Sequence, residues 1–183
     1  TAELLPNYTL EKLMHGCFEE VGVPKCTAEE LEYAAALKAT YSPERDVPGI
    51  GAKFDAGIAK QVKALSENMT KPVYDFLMPQ YSGEGFRPGS TDVGDVSWQT
   101  PTAQIEVAVW PAGVPRHSWQ VVACGKSSMA HKAMLCAGKV IASAAIELLE
   151  QPALLEKAKS EFKERSASGY VCPIEPDAVP IAL

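Results

Sequence analysis

Few features of this sequence point to stapling, spanning or gripping. Its five cysteines (Cys17, Cys26, Cys124, Cys136, Cys172) are odd in number, widely spaced and form no C-x-x-C pair. A disulfide framework and finger-type structural zinc are therefore disfavoured, and a reducing cytoplasm is the expected compartment. No apolar run approaches the roughly 20 residues that cross a bilayer, and no charged n-region precedes an apolar core, so neither a membrane span nor a secretory leader is read. Positive charge is short: 17 Lys and Arg stand against 23 Asp and Glu, a net charge of −6 without blocks of like sign. A nucleic-acid partner is excluded on that ground, because a phosphate grip needs clustered Lys and Arg. Internal repeats and low-complexity segments are also missing. What remains is 183 residues, 46% hydrophobic and 22% charged, the size and mixture of one folded domain.

Helical periodicity dominates. Leu10, Leu13, Met14, Cys17, Phe18 and Val21 recur at three and four, which predicts a helix capped by Asn7 or Thr9 and stopped by Gly22 and Pro24. Thr27 with Glu30 forms a capping box that opens a second helix to about Ala39. A third is expected from about Phe54 to Leu65. Ser127 or Ser128 begins the longest, to Glu150, with Met134, Ala137, Gly138, Ile141, Ala145 and Leu148 as its expected buried stripe. Pro152 at a first-turn position starts a last helix to about Arg165. Beyond Ser168 the prolines predict an extended tail docked on the surface.

Strands are scarce by contrast. Only Thr102–Trp110 alternates with the period of a strand, placing Ala103, Ile105, Val107 and Val109 on one face. One strand leaves its backbone groups unpaired. Its partners must then come from weak segments near Leu4, Val73–Met78 and Gln120–Cys124, or from polypeptide outside this sequence.

Three places carry chemistry. His117 follows a strand end and the turn Pro111-Ala-Gly-Val-Pro, where an imidazole is held as a metal ligand or stands as a surface histidine. Gly89-Ser90-Thr91-Asp92 offers close backbone approach, amides and hydroxyls to an anion, or else serves, through Asp92 and Asp95, to cap a helix turn. Cys124 with His117 or His131 reads as a thiol nucleophile with its base, or as a buried structural cysteine. Gly125-Lys126-Ser127 is not a phosphate loop, since the glycine needed five residues earlier is Gln120. Trp98, Trp110 and Trp119 are assigned to packing, and His15 and His131 to half-exposed and solvated helix positions.

Taken together, Gly89-Ser-Thr-Asp-Val-Gly-Asp-Val-Ser-Trp98, His117-Ser-Trp-Gln120 and Gly125-Lys-Ser-Ser-Met-Ala-His-Lys132 resemble the C-terminal part of aminobenzoyl-glutamate-type amidohydrolases. These sit in the aminoacylase and glutamate carboxypeptidase family of dinuclear metallohydrolases. Leu4-Leu-Pro-Asn7 and Tyr170-Val-Cys-Pro-Ile174 extend the likeness over essentially the whole chain.

The resemblance implies an α/β fold: residues 1–167 as the C-terminal segment of a three-layer αβα catalytic domain, helix-rich with few strands of its own, and 168–183 as the tail. It implies His117 as the last histidine ligand of a metal pair, Gly89, Ser90 and Thr91 as the pocket loop, and Asp92 as its buried acidic residue. The family's cofactor is a divalent metal, Zn or Mn, which activates water for attack on an amide of aminobenzoyl-glutamate or N-acyl-amino-acid type. The family's His-x-Asp ligand motif, its metal-bridging carboxylate, its Glu pair and its lid have no counterpart here. The chain alone is thus expected to bind no metal and hydrolyse nothing. Its expected partners are a small-molecule amide and the N-terminal part of the same enzyme, within a homodimer when intact. The alternative is a non-catalytic scaffold of the same fold, completed by a separate chain; a third reading is an unrelated helical domain using Cys124.

Overall fold

The computed structural model describes residues 2–42, 56–81, 89 and 91–179. Seven helices and no strand are found among them. Helix α1 (Tyr8–Val21) begins where Asn7 accepts from the Leu10 amide at 3.0 Å, and it ends at Gly22, whose φ of 74° suits a residue without Cβ. Helix α2 (Ala28–Lys38) opens with the expected capping box. Helix α3 covers Ala56–Glu67; the expected start at Phe54 lies outside the described residues. Two short helices complete the set: α4 (Val93–Ser97), at the helix turn that is one alternative for the Asp92–Asp95 stretch, and α5 (Trp119–Gly125), which the sequence does not predict. Gln120–Cys124, a candidate strand by sequence, is thus helical. Its Ser118 cap is the local signal for that helix, accepting from the Val121 amide. The long helix α6 (Ser128–Glu150) and α7 (Pro152–Arg165) match their predicted spans.

The main core lies between α1 and α6, where Met14, Cys17 and Phe18 meet Cys136, Val140 and Ala144. The stripe that α6 buries is not the expected one. The buried positions are Met129, Ala133, Cys136, Val140 and Ala144, whereas Met134 is 64% and Ile141 54% exposed. Helix α6 is apolar almost all round, so periodicity alone could not say which side faces α1.

Residues 102–110 keep the expected alternation: positions 103, 105, 107 and 109 are half-buried, 104, 106 and 108 exposed. Ala103, Ile105 and Val107 rest on the α1–α6 core. Yet no strand ladder joins this segment to another described one, and none of the weak segments became its partner. No helix of the described residues is long and apolar enough to cross a membrane. Beyond Ser168 the described part of the tail is non-helical, and 171–179 are exposed; its docking is made by Tyr170.

Candidate functional site

The turn before His117 is built from the inside. Pro111, Ala112 and Val114 are buried. The Ala112 amide donates to the Pro72 carbonyl at 2.8 Å, and its carbonyl accepts from the Tyr41 hydroxyl at 3.1 Å. Burial raises the Tyr41 phenol to about 12, so it remains a donor throughout the physiological range. Gly113, with φ 72°, closes the bend. On the far side α5 is tied down by two further bonds, Tyr33 to the Ala123 carbonyl at 3.0 Å and Gln120 to the Thr40 hydroxyl at 3.1 Å.

Between these anchors His117 is exposed and has φ 59°, the single non-glycine residue with positive φ among those described. That left-handed conformation costs an L-residue roughly 1–2 kcal/mol, and such strain concentrates at functional positions. His117, Arg116 and Trp119 all face solvent, Trp119 at 61% exposure. The packing role expected of the three tryptophans holds for the half-buried Trp98 and Trp110 and fails for Trp119.

The Gly89–Asp92 stretch is described in part. Gly89, Thr91 and Asp92 are exposed, and Ser90 lies outside the described residues. Asp92, which the resemblance implies as a buried acidic residue of the intact pocket, is exposed in this chain. It does not cap α4, since its side chain makes no cap hydrogen bond; the Thr91 hydroxyl accepts from the Val93 amide instead. No hydrogen bond or ion pair joins His117 to the described members of this stretch. A cleft of about 550 Å³ beside α3, lined by Gln61, Leu65, Met69, Lys71 and Phe76, includes none of them.

The second half of the motif holds the fold together. A methyl group on Gly94 would collide with the Ala2 carbonyl oxygen, so only glycine fits where the segment 2–5 passes. Asp95 accepts from the Ala2 amide at 3.2 Å and from the Tyr170 hydroxyl at 2.7 Å. The Tyr170 bond holds the Asp95 carboxyl below its ordinary range. Ser97, fully buried, accepts from the Leu5 amide and donates to the Gly94 carbonyl, while Trp98 donates to the Glu3 carbonyl. None of these anchoring roles follows from local sequence rules, although the run Gly94–Trp98 is the signal for them.

Cys124 is 1% exposed, and burial pushes its thiol up, which makes it a structural cysteine and not an activated nucleophile. No group of three His, Cys, Asp or Glu able to hold a metal occurs among the described residues. One imidazole is not a metal site, so these residues do not by themselves fit the metal pair.

A component chain of the p-aminobenzoyl-glutamate hydrolase of Escherichia coli (strain K12) is 34% identical over 181 residues, 98% of this chain. The likeness therefore runs almost end to end. The aminobenzoyl-glutamate likeness read from the motifs is thus found along nearly the whole chain. The chain spans 37% of that relative's length. No family model matches the sequence, and no solved structure matches it.

Proposed function

We propose that this chain is part of the catalytic domain of a metal-dependent amidohydrolase that cleaves an aminobenzoyl-glutamate or N-acyl-amino-acid type of amide. In this reading His117 supplies one metal ligand, Gly89, Ser90, Thr91 and Asp92 line the pocket, and further polypeptide brings the remaining ligands. The observation that carries it is His117 itself, strained and exposed at the tip of a turn whose base is buried and hydrogen-bonded. A histidine kept only for solvation needs no such scaffold.

Two surfaces support the incompleteness. Residues 103–109 alternate like a strand and rest one face on the core, yet they join no ladder among the described residues, the condition of a strand awaiting a sheet. The outer face of α6, with Met134, Ile141 and Leu149 exposed, is the apolar side that a sheet layer of an αβα domain would cover.

The purified chain, given p-aminobenzoyl-glutamate with Zn²⁺ or Mn²⁺, is expected to release no p-aminobenzoate above a His117→Ala control. Co-expressed with the polypeptide bearing the other ligands, it is expected to do so, with a loss of at least about a hundredfold in His117→Ala. A completed complex indifferent to that substitution overturns the reading in favour of the scaffold alternative.

A further inference from the structure

The cleft beside α3 shares no residue with the His117 turn or the Gly89–Asp92 stretch, and the proposed hydrolysis makes no use of it. Its volume of about 550 Å³ is that of an ordinary small-molecule site. One part of its wall is apolar, with half-buried Leu65 at the end of α3, Met69 just beyond it and Phe76 from the following segment. The Phe76 ring is held edge-on by Tyr74, their centroids 5.8 Å apart. That segment is also fixed from behind, because Val73 is buried and the Pro72 carbonyl accepts from the Ala112 amide at 2.8 Å. A wall already in place spares a ligand the cost of ordering it.

Charge enters the cleft as one matched pair. Lys71 donates to Asp75, and the two side chains are 47% and 32% exposed. An ion pair this open to water adds little to the fold. It also leaves the lining neutral, so a phosphate or a dicarboxylate meets no surplus of positive charge. A compact zwitterion fits such a pair from both ends: its carboxylate meets Lys71 and its ammonium meets Asp75, closing charges of alternating sign into a ring. We infer that this cleft binds a free α-amino acid with an aromatic or long apolar side chain, its head group on Lys71 and Asp75 and its side chain against Leu65, Met69 and Phe76. No thiol or imidazole is among the described residues that line it, so the ligand is held and not converted.

The whole chain, labelled with ¹⁵N, is titrated with L-phenylalanine to about 10 mM, beyond the weak end of useful affinity. A saturable shift, largest in the amides of residues 61–76, is expected. N-acetyl-phenylalanine lacks the ammonium and phenethylamine lacks the carboxylate; each is expected to bind at least about tenfold more weakly, as is glutamate. Lys71→Met and Asp75→Asn should each raise the Kd for L-phenylalanine about tenfold, while unmoved indole signals of Trp98 and Trp110 report that the variants are folded. Absence of a saturable shift, a shift centred elsewhere in the chain, equal binding of the N-acetyl compound, or full affinity in Lys71→Met overturns the inference. Every one of these results is independent of the hydrolysis test of His117.

Discussion

At the scale of single residues, the chain uses two backbone positions in opposite ways. Gly94 is glycine because a carbonyl passes where its side chain would be, so Gly94→Ala must push the 2–5 segment off α4. A loss of about 2 kcal/mol is expected, read as a lower midpoint in urea unfolding. His117 is the reverse case, a side chain retained where glycine would sit more easily. His117→Gly is expected to leave stability unchanged or raise it by about 1 kcal/mol, because relief of the left-handed strain offsets the added chain entropy. A marked drop in thermal stability would mean that the imidazole is structural after all. The candidate residues are legible as a string, since His117 after a proline-rich bend needs only local chemistry to notice. What Gly94, Asp95, Ser97 and Trp98 do was hidden, because their partners Ala2, Leu5, Glu3 and Tyr170 lie more than seventy positions away.

Helix junctions are where charge matters. Glu30 accepts from Lys132 at 2.8 Å, from Ser128 at 2.6 Å and from the Thr27 amide at 2.7 Å, joining the start of α2 to the start of α6. The hydrogen bond from Lys132, then those from Ser128 and Thr27, lower its carboxyl from 4.5 to about 2. Stability from this cluster is therefore fully present above pH 4.5 and is lost as the pH falls toward 2. Glu30→Gln is expected to flatten that acid limb of a stability–pH curve and to cost about 2 kcal/mol near neutrality. A second junction is made by Glu161 of α7, which accepts from the Tyr8 and Thr9 amides at 2.8 and 2.9 Å and so closes the exposed end of α1. Burial opposes ionisation there, but the bonds from Thr9, Tyr8 and Arg165 outweigh it and the carboxyl sits below its usual range. Glu161→Ala should lower stability by about 1 kcal/mol, measured by chemical denaturation. Helix ends were readable from sequence where the cap is local, as at Asn7, Thr27 and Ser127. The capping of α1 by Glu161, from the far end of the chain, was not, since no spacing rule reaches that far.

For the molecule as a whole, the long helix gives the sharpest contrast between neighbours. Val140 is fully buried and Ile141 is 54% exposed. Val140→Asp is expected to unfold the chain by placing a charge in the α1–α6 core. Ile141→Asp should change the stability of the chain alone by less than about 0.5 kcal/mol. In the proposed complex the same Ile141→Asp should abolish co-purification with the completing polypeptide, whereas retention of that complex would show that this face stays in water. The helices and their lengths followed from pattern, but the choice of face for α6 did not: a helix apolar on both sides has no preferred inside until its neighbours are fixed. The shortage of strands was legible, and its cause was not, because pairing partners are a property of the assembly and not of a window of sequence.

The segment 103–109 has one consequence for handling the protein. A half-apolar ribbon that alternates like a strand and lies outside any sheet of the described residues is a template on which another copy can lay its own ribbon. Overproduced by itself, the chain should thus gather into thioflavin-positive deposits as its concentration rises, and Gln104→Pro should keep it dispersed.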